Sequence, residues 1–216
     1  MEKEQALRDL ICDIGRRVWQ RGMASANSGN ISARLAADEI LITPTLVSKG
    51  FMCPEQLLVM NLAGEVLRGE SYPTTETPMH LRLFQERADI GGVVHAHPPI
   101  ATSFAIAGKA LDLHLIPEAV IFLGEVPLVP FHPPGSPELA GAIVPYLDDY
   151  DAVLMENHGV LCWGSDVEQA YHRLETVEFC AQVTLTAQQL GGARELPAEP
   201  LQNLLDVRKM MKQKPQ

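Results

Sequence analysis

The chain has 216 residues and a formal net charge of −10, with 46% hydrophobic and 20% charged residues. That length suits a single domain with a sizeable core, and the composition excludes a disordered chain. The acidic balance argues against nucleic acid or an anionic membrane as the main partner, but not against a small phosphorylated substrate, because one metal ion and a few backbone amides reverse the potential inside a pocket.

The opening MEKEQALRDL is charged and does not read as a secretory signal. Leu7, Leu10, Ile11, Ile14 and Val18 recur at helical spacing and predict a first helix. A stretch of small residues runs from Met23 to Asn30. Strands are predicted at Ile31–Leu35 and Ile40–Thr43, then a hairpin from Leu57–Met60 and Glu65–Leu67. Thr77-Pro78 opens a helix to about Arg87. Val93–His97 is a predicted strand ended by Pro98-Pro99, and a short helix follows to about Ala107. Val126–Phe131 is a further strand, and Ser136-Pro137-Glu138 opens a helix to about Leu147. Strands Ala152–Glu156 and Val160–Trp163 flank the turn Asn157-His158-Gly159. Ser165 caps a long helix from Asp166 to about Gln189, and the chain from about 195 reads as a short, polar, mobile tail. Hairpins mixed with helices, without strict βαβ alternation, predict one α/β domain over 1–216 with a largely antiparallel sheet. Cys12, Cys53, Cys162 and Cys180 match no CxxC spacing and read as reduced, buried thiols. No apolar run is long enough to span a bilayer, so the cytoplasm is the expected location.

His95 and His97 carry the clearest chemical signal. Residues i and i+2 of a strand share a face, so two imidazoles project together at a separation one metal ion can bridge. Alone, such a pair is more often two histidines satisfied by hydrogen bonds. His158, in the turn Glu-Asn-His-Gly, can reach the same cleft, and Glu76 stands just before a helix. Three histidines and a carboxylate suffice for tetrahedral zinc. Three loops, Gly29-Asn30, Thr43-Pro44-Thr45 and Thr74-Thr75, are rich in small hydroxyl and amide groups and lie at predicted element ends, where free N–H groups accept anions. Taken singly, each is an ordinary turn or cap. Lys49 adds a candidate charge, although its Ser48-Lys49-Gly50 context reads as an unburied turn.

Together, Gly29-Asn30-Ile31-Ser32, Thr43-Pro44-Thr45, Thr74-Thr75-Glu76, His95-Ala96-His97 and Asn157-His158-Gly159 resemble the class II aldolase/adducin-head family from the first helix to about Gln189. The resemblance implies a three-layer α/β/α fold around a mainly antiparallel sheet. It implies one zinc ion per subunit, held by His95, His97 and His158, with Glu76 as the fourth ligand, released to act as base. It implies a substrate phosphate held by Gly29, Asn30, Thr45, Thr74 and Thr75. It also implies a homotetramer with sites at subunit interfaces.

The expected activity is reversible aldol cleavage of a ketose 1-phosphate, of the L-fuculose 1-phosphate kind, to dihydroxyacetone phosphate and an aldehyde. Methylthioribulose-1-phosphate dehydration, sugar-phosphate 4-epimerisation and sugar-acid phosphate decarboxylation are the alternatives within the family. A non-enzymatic adducin-like module is disfavoured because all four candidate ligands are present. The epimerases carry aspartate in the place of Glu76, so its longer side chain favours the aldolase. Glu118 points partly to the dehydratases, which place a catalytic glutamate where the fuculose aldolases have tyrosine. By itself Glu118 is a solvated carboxylate at a strand start. Leu46 stands where the aldolase phosphate loop often has glycine.

Overall fold

The protein is described by a computed structural model covering residues 2–111 and 114–213. It opens with α1 (Glu2–Gln20), whose buried face of Ile11, Cys12, Ile14 and Val18 follows the helical spacing of the sequence. Strands β1 (Asn30–Ala36), β2 (Glu39–Ile42), β3 (Leu58–Asn61) and β4 (Val66–Arg68) follow as a meander. After α2 (Thr77–Glu86) come β5 (Gly92–Ala96), α3 (Pro99–Ile106), α4 (Pro117–Phe122), β6 (Leu128–Val129) and α5 (Pro137–Ile143). The hairpin of β7 (Ala152–Met155) and β8 (Gly159–Gly164) leads into α6 (Val167–Gln189) and α7 (Ala198–Gln213).

Among the described residues the strands form one eight-stranded sheet in the order β4-β3-β2-β1-β5-β8-β7-β6. Every pairing is antiparallel except β6 with β7. Alternation along the strands divides the core in two. Val94, Ala96, Val160 and Cys162 face Ile11, Ile14, Ala101, Leu174 and Val177 of α1, α3 and α6. Val93, Leu161 and Trp163 face Met79, Leu83, Leu139 and Ile143 of α2 and α5. Helices therefore cover both faces, the three-layer α/β/α arrangement. Each fully buried aliphatic side chain contributes roughly 1.5–3 kcal/mol, enough to fix β5 and β8 as the rigid centre.

Several expectations change. The segment from about 195 is not an irregular tail: it contains α7, which packs on α4. Arg208 and Lys212 of α7 reach Asp151, which Arg173 of α6 also approaches. The cap of α6 is Asp166, whose side chain accepts from the Gln169 amide at 2.7 Å, rather than Ser165. The strand expected at Val126–Phe131 shortens to β6, because its prolines remove backbone donors at Pro127 and Pro130. Glu118 sits in the first turn of α4, not at a strand start. Cys12, Cys162 and Cys180 are buried free thiols, whereas Cys53 is exposed. Lys49 is buried.

Candidate metal centre

His95 points to the α2 side of the sheet from the last turn of β5, and His97 follows just beyond that strand. Their rings meet edge-on with centroids 4.7 Å apart. The turn between β7 and β8 brings in His158, with its ring 4.7 Å from that of His95 and 5.4 Å from that of His97. Asn157 takes a φ of +54° to make this turn, a conformation asparagine tolerates. Gly159 is required next, since a Cβ there would lie 2.6 Å from the Ala96 carbonyl and 2.8 Å from the His97 ring. One ligand nitrogen from each histidine can be chosen so that all three lie within 4.8 Å of one another, a set able to hold a metal ion.

Nδ1 of His95 donates to the Val160 carbonyl at 2.8 Å. A carbonyl only accepts, so the ring when neutral presents a bare Nε2 lone pair inward. Facing it is Glu76, at the N-cap of α2. Oε2 of Glu76 is 3.2 Å from His95 Nε2, and Oε1 is 3.1 Å from His158 Nε2. His95 Nε2 and Glu76 Oε1 are buried without a hydrogen-bond partner among the described residues, as is Nδ1 of His158. A lone pair and a carboxylate aimed at one another in a buried site call for a positive charge between them, supplied by a metal ion or, in the metal-free protein, by a proton that Glu76 favours on His95. The residues present therefore fit a divalent metal. Burial raises the Glu76 carboxyl, but the neighbouring His95 and His158 more than reverse this and hold it well below the usual carboxylate range. Burial pushes His97 down to about 3, aided by the charges of His95 and His158. A histidine kept neutral in this way is ready to act as a ligand.

Asn30 connects the centre to the phosphate loops. Its Nδ2 donates to Glu76 Oε2 at 2.7 Å and to Thr74 Oγ1 at 3.3 Å. Its Oδ1 lies 2.5 Å from Nε2 of His80, whose Nδ1 lies 2.6 Å from Ser32 Oγ. The sequence reading missed both His80 and Ser32. His80 is four residues after Glu76 and so on the same helical face, and Ser32 is two after Asn30 on one strand face; those spacings were the available signals.

The Thr43–Thr45 and Tyr72–Thr74 segments run side by side: the Thr45 amide donates to the Tyr72 carbonyl and the Thr74 amide to the Thr43 carbonyl. Thr45 is half-buried, Thr74 buried and Thr75 exposed. They lie at the N-terminus of α2, whose dipole favours an anion, although the Thr77 and Met79 amides already donate to the Thr74 and Glu76 carbonyls and Pro78 has no N–H. Gly29 takes a φ of +78°, and a Cβ there would lie 3.0 Å from the His95 carbonyl, so glycine lets this loop lie against the histidine strand. Leu46 adopts a φ of +59° while 80% exposed. The loop thus keeps a shape suited to glycine despite the leucine, at a cost of about 1–2 kcal/mol. Lys49 Nζ donates to the Val47 carbonyl at 2.5 Å and to the Asn27 carbonyl at 3.3 Å, tying the two neighbouring loops together. Burial lowers its ammonium to about 8. Glu118 is exposed on α4 and takes no part in the hydrogen bonds around Glu76 among the described residues.

A family model described as "Class II Aldolase and Adducin N-terminal domain" matches residues 9–185. The chain is 31% identical over 202 residues to the 5-deoxy-D-ribulose 1-phosphate aldolase of Bacillus thuringiensis serovar kurstaki, covering 93% of this chain and 94% of that protein. It is 32% identical over 212 residues to the 3-oxo-tetronate 4-phosphate decarboxylase of Cupriavidus necator, covering 96% and 97%. A solved L-fuculose 1-phosphate aldolase superposes with a TM-score of 0.86 at 26% identity, over 94% of this chain and 96% of that one.

Proposed function

This chain belongs to the class II aldolase and adducin N-terminal domain family, and from that premise we propose that it is a zinc-dependent lyase acting on a ketose 1-phosphate. The reaction is reversible aldol cleavage to dihydroxyacetone phosphate and an aldehyde. The observation that supports this most is the Glu76 carboxylate set against the bare Nε2 of His95 and against His158. In this reading His95, His97 and His158 hold the zinc, with Glu76 as a displaceable fourth ligand. When bound, zinc supplies a Lewis acid that draws electron density from a substrate carbonyl.

Gly29, Asn30, Thr45, Thr74 and Thr75 grip the phosphate and so fix the reacting carbon beside Glu76. In the condensation direction, Glu76 removes a proton from the carbon next to the carbonyl of dihydroxyacetone phosphate. That carbon then bonds to the aldehyde carbon, and the aldehyde oxygen takes up one proton to become a hydroxyl, which balances the proton removed by Glu76. Cleavage runs the same steps backwards. The assembly proposed is a cytoplasmic homotetramer with sites at subunit interfaces, where an exposed carboxylate such as Glu118 is available to a neighbour's site.

A second reading, decarboxylation of a 3-oxo sugar-acid phosphate, is favoured by the likeness to the Cupriavidus necator enzyme over nearly the whole chain. It also uses a carbonyl that accepts electron density. The deciding experiment incubates the protein with ketose 1-phosphates and, separately, with 3-oxo acid phosphates. Dihydroxyacetone phosphate, read by a coupled reductase, supports the aldolase. Carbon dioxide release without it supports the decarboxylase, and neither product removes both.

A further inference from the structure

We propose that His80 is a positioning residue which, through Asn30, sets the Glu76 carboxylate in its place beside the histidine cluster. This deepens the reading of that site as a metal centre and rests on it. The geometry is a directional chain of hydrogen bonds. Ser32, Asn30 and His80 are 0%, 3% and 0% exposed, so water does not compete for these groups. The Glu76 carboxylate only accepts, so the Asn30 amide presents its NH2 end there and its Oδ1 to His80. Nε2 of His80 therefore donates to Oδ1 while Nδ1 accepts from the Ser32 hydroxyl, and this bond holds the amide in that orientation. The NH2 end is thereby turned toward Glu76 Oε2 and Thr74 Oγ1. With the amide reversed, its oxygen would face a carboxylate and its NH2 a protonated ring nitrogen. The first contact is repulsive and buried, and the second is relieved only if the His80 ring changes tautomer and the Ser32 hydroxyl turns from donor to acceptor.

His80 thus holds, from the far side, the orientation of the Asn30 amide that the Glu76 carboxylate demands. The arrangement also uses both hydrogens of the Asn30 amide, one on the carboxylate and one on the phosphate loop. A substrate phosphate that takes a hydrogen from Asn30 draws on the same amide that holds Glu76. Asn30 is therefore the point where phosphate binding and the position of Glu76 are linked, and His80 keeps that point oriented.

The test uses the full chain loaded with Co2+ as probe, with Glu76→Ala as reference. The dissociation constant and visible absorption spectrum of bound Co2+ are compared for wild type, His80→Leu and His80→Gln. Glutamine keeps an amide donor for Asn30 and leucine does not. The expected result is a Co2+ affinity about 10–100-fold weaker in His80→Leu, with the spectrum moved toward that of Glu76→Ala and substantial recovery in His80→Gln. Ser32→Ala, which removes only the donor that fixes the ring, gives a smaller shift in the same direction and serves if His80→Leu does not fold. Folded variants with wild-type spectrum and affinity, or a His80→Gln protein no closer to wild type than His80→Leu, overturn the proposal. Solvent-deuterium exchange into dihydroxyacetone phosphate is measured on the zinc-loaded proteins alongside. Absence of exchange in the wild type counts against the aldolase reading, while the Co2+ comparison still decides the role of His80.

Discussion

Oε2 of Glu76 stands 3.2 Å from Nε2 of His95, although one residue caps a helix and the other ends a central strand. Because Nδ1 of His95 is committed to the Val160 carbonyl, its Nε2 meets the Glu76 anion either as a lone pair with a metal ion between them or, in the metal-free protein, as a protonated donor. Zinc content is the first consequence. His97→Ala and His158→Ala should each lower bound zinc below one per subunit and abolish turnover, measured by elemental analysis and coupled assay. A His158→Ala protein with stoichiometric zinc and normal activity would exclude that residue from the centre.

Glu76→Gln separates holding from proton transfer. The amide keeps the size of the side chain and can still touch a metal, but it cannot accept the substrate proton. The expected outcome is retained zinc with kcat lowered about 10²–10⁴-fold. Near-normal kcat with zinc bound would move the base elsewhere, and Glu118 would be the next residue to test.

The paired loops predict a phosphate requirement. Thr74→Ala removes a hydroxyl that faces the Asn30 amide, and a hydrogen bond to a charged group is worth about 1.5–3 kcal/mol. KM should rise by roughly 10–100-fold with a smaller change in kcat. Equal activity on substrates with and without phosphate would remove the loops from the site.

Much of this was legible in the sequence because the relevant periodicities are local. The i, i+2 spacing of His95 and His97 placed two rings together at the end of β5, although the strand itself stops at Ala96, and the turn chemistry of Asn157-His158-Gly159 located a third. The helix start at Thr77-Pro78 put Glu76 at an N-cap. What escaped was set by contacts distant in the chain. Lys49 follows Ser48 in a turn-like stretch, yet Gly15 of α1 packs on it so closely that a Cβ there would lie 2.8 Å from the Lys49 carbonyl. The segment from about 195 carries Leu201, Leu204 and Leu205 at helical spacing, a short signal among polar residues, and α7 is anchored by α4 and by Asp151 across the fold. His80 carries no signal in the sequence beyond its place four residues after Glu76, and its role becomes legible only with Asn30 and Ser32 opposite it.

His80 also predicts a pH dependence of stability. Burial, reinforced by the charge of His95, lowers its imidazole from the ordinary 6.5 to about 3, so the folded state keeps it neutral where the unfolded chain protonates it. Its contribution is complete above pH ~6.5 and is lost as pH falls toward ~3, amounting to about 2 kcal/mol at pH ~5. His95 is shifted the other way: burial lowers it, but Glu76 raises it further, so it favours the folded metal-free protein below its ordinary value and opposes the trend. The difference between wild type and His80→Gln isolates the His80 part. In denaturant titrations of metal-free protein from pH 8 to 5, the wild type should lose stability more steeply than His80→Gln. Parallel curves would mean that His80 is already neutral in the unfolded chain or protonated in the folded one.

Lys49 sharpens the choice between metal and Schiff-base chemistry. A lysine that forms a Schiff base needs a depressed ammonium, and burial gives Lys49 one, at about 8. Its geometry argues for a different role. Nζ is committed to the Val47 and Asn27 carbonyls, so it braces the loops that lead into Gly29-Asn30 and out of Thr43-Pro44-Thr45. Freeing it for covalent chemistry would leave two carbonyls without this donor. Lys49→Met should therefore act through the loops: lower stability by about 1–3 kcal/mol, a raised KM and a smaller loss of kcat. Chelation should stop turnover of the wild type and zinc should restore it, while borohydride with dihydroxyacetone phosphate leaves no adduct in the intact mass. A trapped adduct on Lys49 in a demonstrably metal-free, active protein would reverse the assignment, since the histidine cluster would then have no part in the bond-making step.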